Sequence, residues 1–461
     1  MYIRRIEINN IRSIEHFQMT FPEGKEAGWH VLIGDNGSGK STIVRSVALT
    51  VLDQQDILAT REDWENWLSK GKKSGQITVG IAKNPEYDFD ESPKREENFL
   101  INKVSFVDHF EPSPSDDVYN EEDLNSNIFN LKFLGVGYTT LDEIITRNRT
   151  VFKRNSQTET FSLDLRKGAW FSAAYGPFRR FTGGNLDKEG LYKTNPRLGA
   201  HLSVFGEDVA LSEALTYLRD LHIKDSDNQI NKRKNNLEGE VLKSIVKFIN
   251  GAKLLPHNTT INQVSPNQVT FKDANENQIS ATQMSDGYRS ILSMTFELIR
   301  QLITFYGHKS VFSQIDQNKM IIDLPGVVLI DEVDAHLHPT WQTDIGQWFT
   351  KYFPNIQFIV TTHSPLVCRA AEKGSIWRLP APGSGEVAQE ITGNEKKRLV
   401  FGNVLDAYGT NAFGDNVARS ESANDKLNEL AELNIKSIMG QISPDEEQQL
   451  NELRSIFPTE G

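Results

Sequence analysis

Val327-Val328-Leu329-Ile330-Asp331-Glu332-Val333-Asp334-Ala335-His336-Leu337-His338-Pro339 decides the fold of this 461-residue chain. Four consecutive apolar residues read as a strand buried on both faces, and such a strand belongs to a parallel sheet covered by helices. Asp331 and Glu332 emerge together where that strand ends. In phosphate-handling α/β domains ligand sits at the carboxyl ends of the strands. Asp331 is therefore placed to hold Mg²⁺ through water, and Glu332 to orient or deprotonate an attacking water. The rival reading is an acidic turn beside two ligating histidines, His336 and His338.

Upstream, Gly34-Asp35-Asn36-Gly37-Ser38-Gly39-Lys40-Ser41 fits G-x-x-x-x-G-K-[ST] without a mismatch. Val31-Leu32-Ile33 is a short apolar strand before it, and Thr42 to Leu49 continues as a helix with its apolar positions on one side. Glycines let the backbone N–H groups of Asn36 to Thr42 turn toward a β-phosphate, and the helix N-terminus adds positive potential. Lys40 is placed to bridge β- and γ-oxygens and Ser41 to ligate the metal. A third element, Gln283 to Ser290 followed by Ile291 to Ile299, is by itself only a Ser-capped helix start. A fourth, Phe358-Ile359-Val360-Thr361-Thr362-His363, is an apolar strand ending in a histidine able to donate to a γ-phosphate.

In this order the four elements resemble the cassette-type ATPases of the RecF, structural-maintenance-of-chromosomes and overcoming-lysogenization-defect group. The opening Ile3 to Ile14, with Phe17, Met19 and Phe21 alternating after it, is similar to that group's N-terminal hairpin. The stretch Asp331 to Pro339, the Ala174-Tyr175-Gly176-Pro177-Phe178-Arg179-Arg180 segment and the short tail look most like the ATPase subunits of the Septu antiphage system and their retron-associated relatives. The resemblance covers residues 1–60 and 270–380 well and the remainder loosely.

That resemblance implies an α/β fold: a P-loop ABC-type ATPase head, a mixed sheet with an N-terminal antiparallel β lobe, and an inserted helical lobe. It implies ATP and Mg²⁺ as ligands and hydrolysis of ATP to ADP and phosphate. Lys40, Ser41 and Asp331 match phosphate and metal positions, Glu332 the catalytic carboxylate, Asp334 the D-loop acid and His363 the switch histidine. Arg12 and Ser13 in the hairpin join the nucleotide-facing set. Ser285 and Gly287 match signature residues, which act across a dimer on the ATP of the other subunit. The group's Q-loop glutamine has no evident counterpart, and Tyr175-Gly176-Pro177 is the segment nearest its place. A separate HNH-type nuclease subunit, in phage defence, is the partner the resemblance implies, with DNA as a further one. Two alternatives share the motifs: a RecF-like ATPase that clamps or repairs DNA, and a nucleotide-sensing abortive-infection regulator that hydrolyses little.

The expected organisation is an ATPase N-terminal part over residues 1–60, an inserted β and helical lobe over 61–270, an ATPase C-terminal part over 271–390 and a helical tail over 391–461. Within the insert, Gln76 to Ile81 and Asn102 to Val107 read as strands, Pro112 to Asn130 as an acidic surface insertion, and residues 209–250 as two helices around a polar break at Lys224 to Asn231. No long coiled-coil arm fits in that length. Fifty basic against 62 acidic residues give a net charge of −12, which is not the balance of a protein whose whole surface grips nucleic acid. Local basic groups remain candidates for phosphate contact: Lys70, Lys72 and Lys73; Lys232 to Lys234; Lys396 to Arg398; and Arg179 with Arg180. No apolar run approaches the roughly 20 residues that span a bilayer. The lone cysteine, Cys368, excludes an internal disulfide and fits the cytoplasm. Neither a zinc-spaced cysteine set nor a nuclease histidine cluster is evident, so any cutting is expected of the partner.

Overall fold

A computed structural model of the chain describes residues 1–52, 56, 57, 60, 67–82, 99–107, 131–133, 137–138, 171–178, 195–206, 213–233, 235–317, 319–404, 407 and 421–457. Its centre is a sheet in the order β15-β14-β3-β13-β12-β8. The strands are β3 (Gly28–Ile33), β8 (Ser172–Tyr175), β12 (Gly326–Ile330), β13 (Ile356–Thr361), β14 (Ile376–Arg378) and β15 (Gln389–Ile391). All neighbours run parallel except β14 and β15, which form an antiparallel edge.

Every residue of β3, β8, β12 and β13 is buried, and alternate side chains enter two different cores. Trp29, Val31, Val328, Ile330, Phe358 and Val360 point into one. Leu32, Val327, Leu329 and Ile359 point into the other. The period of two along a strand thus explains the uninterrupted apolar runs, because both faces are covered.

On one face lie α1 (Lys40–Thr50) and an antiparallel sheet in the order β2-β1-β4-β5-β6, with β7 also on β5. These strands are β1 (Tyr2–Ile11), β2 (Ile14–Thr20), β4 (Ser74–Ala82), β5 (Phe99–Val107), β6 (Leu131–Phe133) and β7 (Gly137–Tyr138). The β1 residues Ile3, Ile6, Ile8 and Ile11 share the second core with Ile43, Val44 and Val47 of α1. Gln357 of the parallel sheet fixes the two layers in register, its Oε1 accepting from the Ile3 N–H at 2.8 Å and its Nε2 donating to the Ile3 carbonyl at 3.0 Å.

The other face is helical. It carries α3 (Glu213–Ile230), α4 (Leu237–Gly251), α5 (Asp286–Tyr306), α6 (His308–Asp316) and α7 (Pro339–Tyr352), with α8 (Gly393–Phe401) beyond β15, whereas α2 (Pro196–Phe205) sends Leu198, Leu202 and Val204 into the second core beside α1. Phe248 of α4, Leu292, Phe296 and Ile299 of α5, and Phe349 of α7 fill the first core. A small three-stranded sheet, β9 (Thr260–Val264), β10 (Val269–Lys272) and β11 (Gln278–Ser280), leads into α5. Two tail helices, α9 (Glu421–Ile438) and α10 (Pro444–Ile456), pack on each other through Leu430, Leu433, Leu450 and Leu453.

The architecture is the expected mixed α/β head with its antiparallel β layer and helical layer. The polar break expected at Lys224 to Asn231 lies later, between Ile230 and Leu237. Residues 224–230 stay helical because their polar side chains find partners on the solvent face, as where Gln229 Nε2 donates to Asp225 Oδ1 at 2.8 Å. Arg179, Arg180, Lys234 and the acidic stretch from Pro112 to Asn130 lie outside the described residues. Among the described residues no helix is long and apolar enough to cross a membrane.

Candidate nucleotide site

The loop from Gly34 to Gly39 joins buried β3 to α1 through backbone conformations that side chains resist: φ is 156° at Gly34, 81° at Gly37 and 96° at Gly39. A Cβ on Gly34 would lie 2.8 Å from Ser38 Oγ, and one on Gly39 would lie 2.8 Å from Ile14 Cγ1 and 3.3 Å from Ser13 Oγ. The glycines therefore keep a concave backbone open. Ser38 Oγ is buried without a hydrogen-bond partner, and Asn36 and Gly37 are exposed at the rim. Thr42 is buried under the first turn of α1, whereas Ser41 is half-buried.

Lys40 folds back over this loop, its Nζ donating to the Gly34 carbonyl at 2.7 Å and the Asp35 carbonyl at 2.9 Å. Burial pulls its pKa below the ordinary lysine value, while the carboxylates of Asp331, Glu332, Asp35 and Asp334 pull in the opposite direction. The electrostatics thus join the P-loop to the acidic turn, although the two are some 290 residues apart in the chain.

Asp331 and Glu332 follow β12 directly, and one hydroxyl holds both. Thr361 Oγ1, at the end of neighbouring β13, donates to Asp331 Oδ1 at 2.6 Å and accepts from the Glu332 N–H at 2.8 Å. Asp331 is 1% exposed, and its N–H donates to the Tyr175 carbonyl at the end of β8 at 2.8 Å. Glu332 takes φ 47°, a left-handed conformation that turns the chain out of the sheet. Asp334 follows, with a buried Oδ1 that has no hydrogen-bond partner. His363 is exposed one residue beyond Thr362, whose N–H donates to the Leu32 carbonyl at 3.2 Å, so it stands level with the start of the P-loop.

The hairpin residues also reach this region. Ser13 abuts Gly39, and Arg12, at φ 51°, stacks its guanidinium 4.5 Å from the centre of the Trp67 ring. Ser285 and Gly287 are placed differently. Ser285 is the exposed N-cap of α5 and makes no capping bond with its side chain. A Cβ on Gly287 would lie 2.7 Å from the His336 carbonyl, so this glycine packs against the turn after Asp334. His338 caps α7, its Nδ1 accepting from the Thr340 N–H at 3.4 Å, and among the described residues no group of three or more His, Cys, Asp or Glu side chains could hold a metal. The histidine-metal reading of this turn thus loses its ligand set. Cys368 is buried, and its thiol is pushed up by burial and by Asp334, as suits a packed rather than reactive cysteine.

These residues fit ATP with Mg²⁺. Magnesium takes one or two carboxylates beside substrate phosphates instead of an all-protein cage, which matches one buried aspartate with a hydroxyl and explains the absence of a denser cluster. The Thr361 clamp was not anticipated from sequence, though a β-branched hydroxyl residue closing the strand before His363 was its signal. Thr361→Val keeps the side-chain shape while taking one partner from the Asp331 carboxylate and one from the Glu332 amide. It is expected to lower stability in urea unfolding without nucleotide by about 2 kcal/mol and to raise the Mg²⁺ concentration needed for half-maximal ATP turnover. An unchanged unfolding midpoint and Mg²⁺ dependence would show that the hydroxyl holds neither group.

A glycine cradle between a central parallel strand and a helix, with paired carboxylates at the end of a nearby strand, defines a P-loop nucleotide-binding head. The profile of the family described as "AAA domain, putative AbiEii toxin, Type IV TA system" matches residues 30–369, and the chain belongs to that family. It is 26% identical over 413 residues to the "Retron Ec83 probable ATPase" of Escherichia coli, covering 81% of this chain and 70% of that protein. To the "Septu protein PtuA" of Bacillus mycoides (strain KBAB4) it is 25% identical over 437 residues, 94% of this chain but 46% of that protein. The chain therefore spans about half the length of the Septu relative. The "Retron Vc95 probable ATPase" of Vibrio cholerae serotype O1 biovar El Tor is 24% identical over 393 residues, 79% of this chain and 71% of that protein. The family and the named relatives mark the chain as an ATPase of this group.

Proposed function

We propose that this chain binds ATP with Mg²⁺ between two copies of itself, hydrolyses it, and uses the bound state to control a separate nuclease, of HNH type, in cytoplasmic antiphage defence. The observation that carries the reading is the shared setting of Lys40, Asp331 and Glu332: one ammonium, partly desolvated, in the field of two carboxylates at the end of a central strand. The names of the retron and Septu relatives support the defence setting.

Lys40 leaves the Gly34 and Asp35 carbonyls and takes phosphate oxygens in their place, so the loop closes around the triphosphate. Backbone N–H groups from Asn36 to Thr42 and the Ser38 hydroxyl complete that cradle. Ser41 and Asp331 would hold Mg²⁺, which when bound neutralises charge developing on the phosphates. Glu332, its amide fixed by Thr361, accepts the proton of the attacking water, and His363 donates to the γ-phosphate. Arg12 and Ser13 line the P-loop's flank. Ser285 and Gly287 close on the ATP of the other copy, as two-fold symmetry allows, with Asp334 in the turn against which Gly287 packs.

The chain alone is expected to cut no DNA at any ATP concentration, whereas addition of its nuclease partner makes cleavage depend on ATP. A cleavage assay with and without the partner, over a range of ATP concentrations, tests this. Cleavage by the isolated chain that survives Lys40→Ala would contradict it.

A further inference from the structure

Several cations on this acidic chain have carboxylate partners: Arg4 with Glu23 and Glu26, Arg5 with Glu7, Arg300 with Glu297, Arg378 with Glu386 and Lys436 with Glu446. One surface differs. The segment Pro365–Lys373 and helix α8 pack together and carry Arg369, Lys373, Lys396, Lys397 and Arg398 against only Glu372 and Glu395. Arg369 donates to the Gly402 carbonyl at 3.3 Å and Lys396 to the Gly374 carbonyl at 2.6 Å, which ties the two segments together near both ends of α8. Both partners are backbone oxygens, so neither positive charge is neutralised. Lys373, Lys397 and Arg398 form no ion pair with any described residue.

Helix geometry adds an aromatic ring to this charge. Lys397 and Arg398 lie four and three residues before Phe401, so the three share a face. Leu399 and Val400 are buried in the core at 1% and 8% exposure, while Phe401 is 70% exposed beside the two cations. A large ring left in water amid unpaired positive charge is suited to a ligand that offers anionic groups and flat faces together.

We propose that this face of α8 binds single-stranded nucleic acid, with Lys397 and Arg398 on phosphates and Phe401 stacked on a base. Base stacking on an aromatic side chain needs an unpaired base, and a duplex hides its base faces in its own stack. A membrane surface is a poorer fit, since the remaining apolar side chains of α8 point into the core and one ring supplies little area for insertion. An acidic protein segment would account for the charge but not for the ring. None of these residues belongs to the P-loop, and the proposed binding does not depend on ATP hydrolysis.

The test uses the full chain without nucleotide, with fluorescent oligothymidylate, oligouridylate, a duplex of mixed sequence and phosphatidylserine-containing vesicles as separate probes. Wild type is expected to bind a single-stranded probe in preference to duplex or vesicles, the tighter of the two single strands identifying DNA or RNA as the source. Lys397→Ala with Arg398→Ala should lower the slope of log affinity against log salt by roughly 1.4, the sum of two contacts at roughly 0.7 each. Phe401→Ala should weaken binding about 5-fold or more and leave that slope unchanged. All three residues are exposed, so unchanged ATP binding and unfolding midpoints will confirm intact folds. Lys40→Ala should bind the oligomers as wild type does, which separates failure of this site from failure of the ATPase reading. Wild-type affinity in both surface variants would overturn the proposal, as would capture of duplex or vesicles in preference to either single strand.

Discussion

Lys40→Ala is expected to abolish measurable ATP binding. The ammonium reaches two carbonyl oxygens of the loop, at 2.7 and 2.9 Å, and in the proposed function exchanges them for phosphate oxygens. Two charge-assisted hydrogen bonds at about 2 kcal/mol each make roughly 4 kcal/mol, close to a thousandfold in affinity. The free protein should lose little, because the folded state holds this ammonium against a desolvation penalty and the methyl of alanine carries none. Thermal unfolding separates the effects. The variant should unfold near the wild-type temperature without nucleotide and show none of the stabilisation that saturating ATP gives wild type. ATP-dependent stabilisation equal to that of wild type would remove Lys40 from the site.

Glu332→Gln is expected to leave ATP affinity within about threefold of wild type and to slow turnover by roughly 10² to 10⁴, the usual contribution of a positioned general base. Glutamine matches glutamate in size, and the left-handed turn at φ 47° and the hydrogen bond from the residue's N–H to Thr361 Oγ1 use only its backbone atoms. The substitution therefore removes a proton acceptor and keeps these backbone contacts. A single-turnover measurement with excess enzyme distinguishes slow chemistry from slow release. Equal single-turnover rates for variant and wild type would place the base elsewhere, with Asp334 the next carboxylate along the turn.

How far these residues were legible without coordinates depended on the range of the forces that place them. β12 and the P-loop were plain because an apolar run, a glycine spacing and a following helix are local signals. The Ser285 N-cap was legible for the same reason, and α5 starts there. β14 and β15, three residues each, are too short to carry a pattern above their surroundings. β4 was legible as a strand, but not its place between β1 and β5. That pairing joins residues some 70 positions apart, and only contacts such as Gly75 against the Asn10 carbonyl decide it. β4 and β8 come from the stretch expected as an insert, yet they pair in the two sheets that residues 1–33 and 326–391 also build.

The site divides in the same way. Glycine and lysine positions follow from backbone geometry and were found by pattern. The Thr361 hydroxyl between Asp331 and Glu332 depends on which strands are neighbours, and no local signal states that β13 lies beside β12. Tyr175 was read only as lying near a missing glutamine's place. Its segment ends β8 on the other side of β12, where its carbonyl takes the Asp331 N–H. The misplaced break in α3 has the opposite origin. Polarity alone suggested a loop there, whereas a helix edge exposed to water accommodates a polar run when neighbours four residues apart can bond.

The proposal that two copies share each ATP is tested most directly by mixing Lys40→Ala protein with Ser285→Arg protein and measuring ATP turnover after confirmed subunit exchange. Each variant alone has a fault in both sites of its dimer. The mixed dimer has one site in which an intact P-loop faces an intact Ser285 and Gly287, so activity should return to about half that of wild type in the fully mixed species. Continued inactivity despite demonstrated exchange would contradict the composite site and require each chain to act on ATP alone.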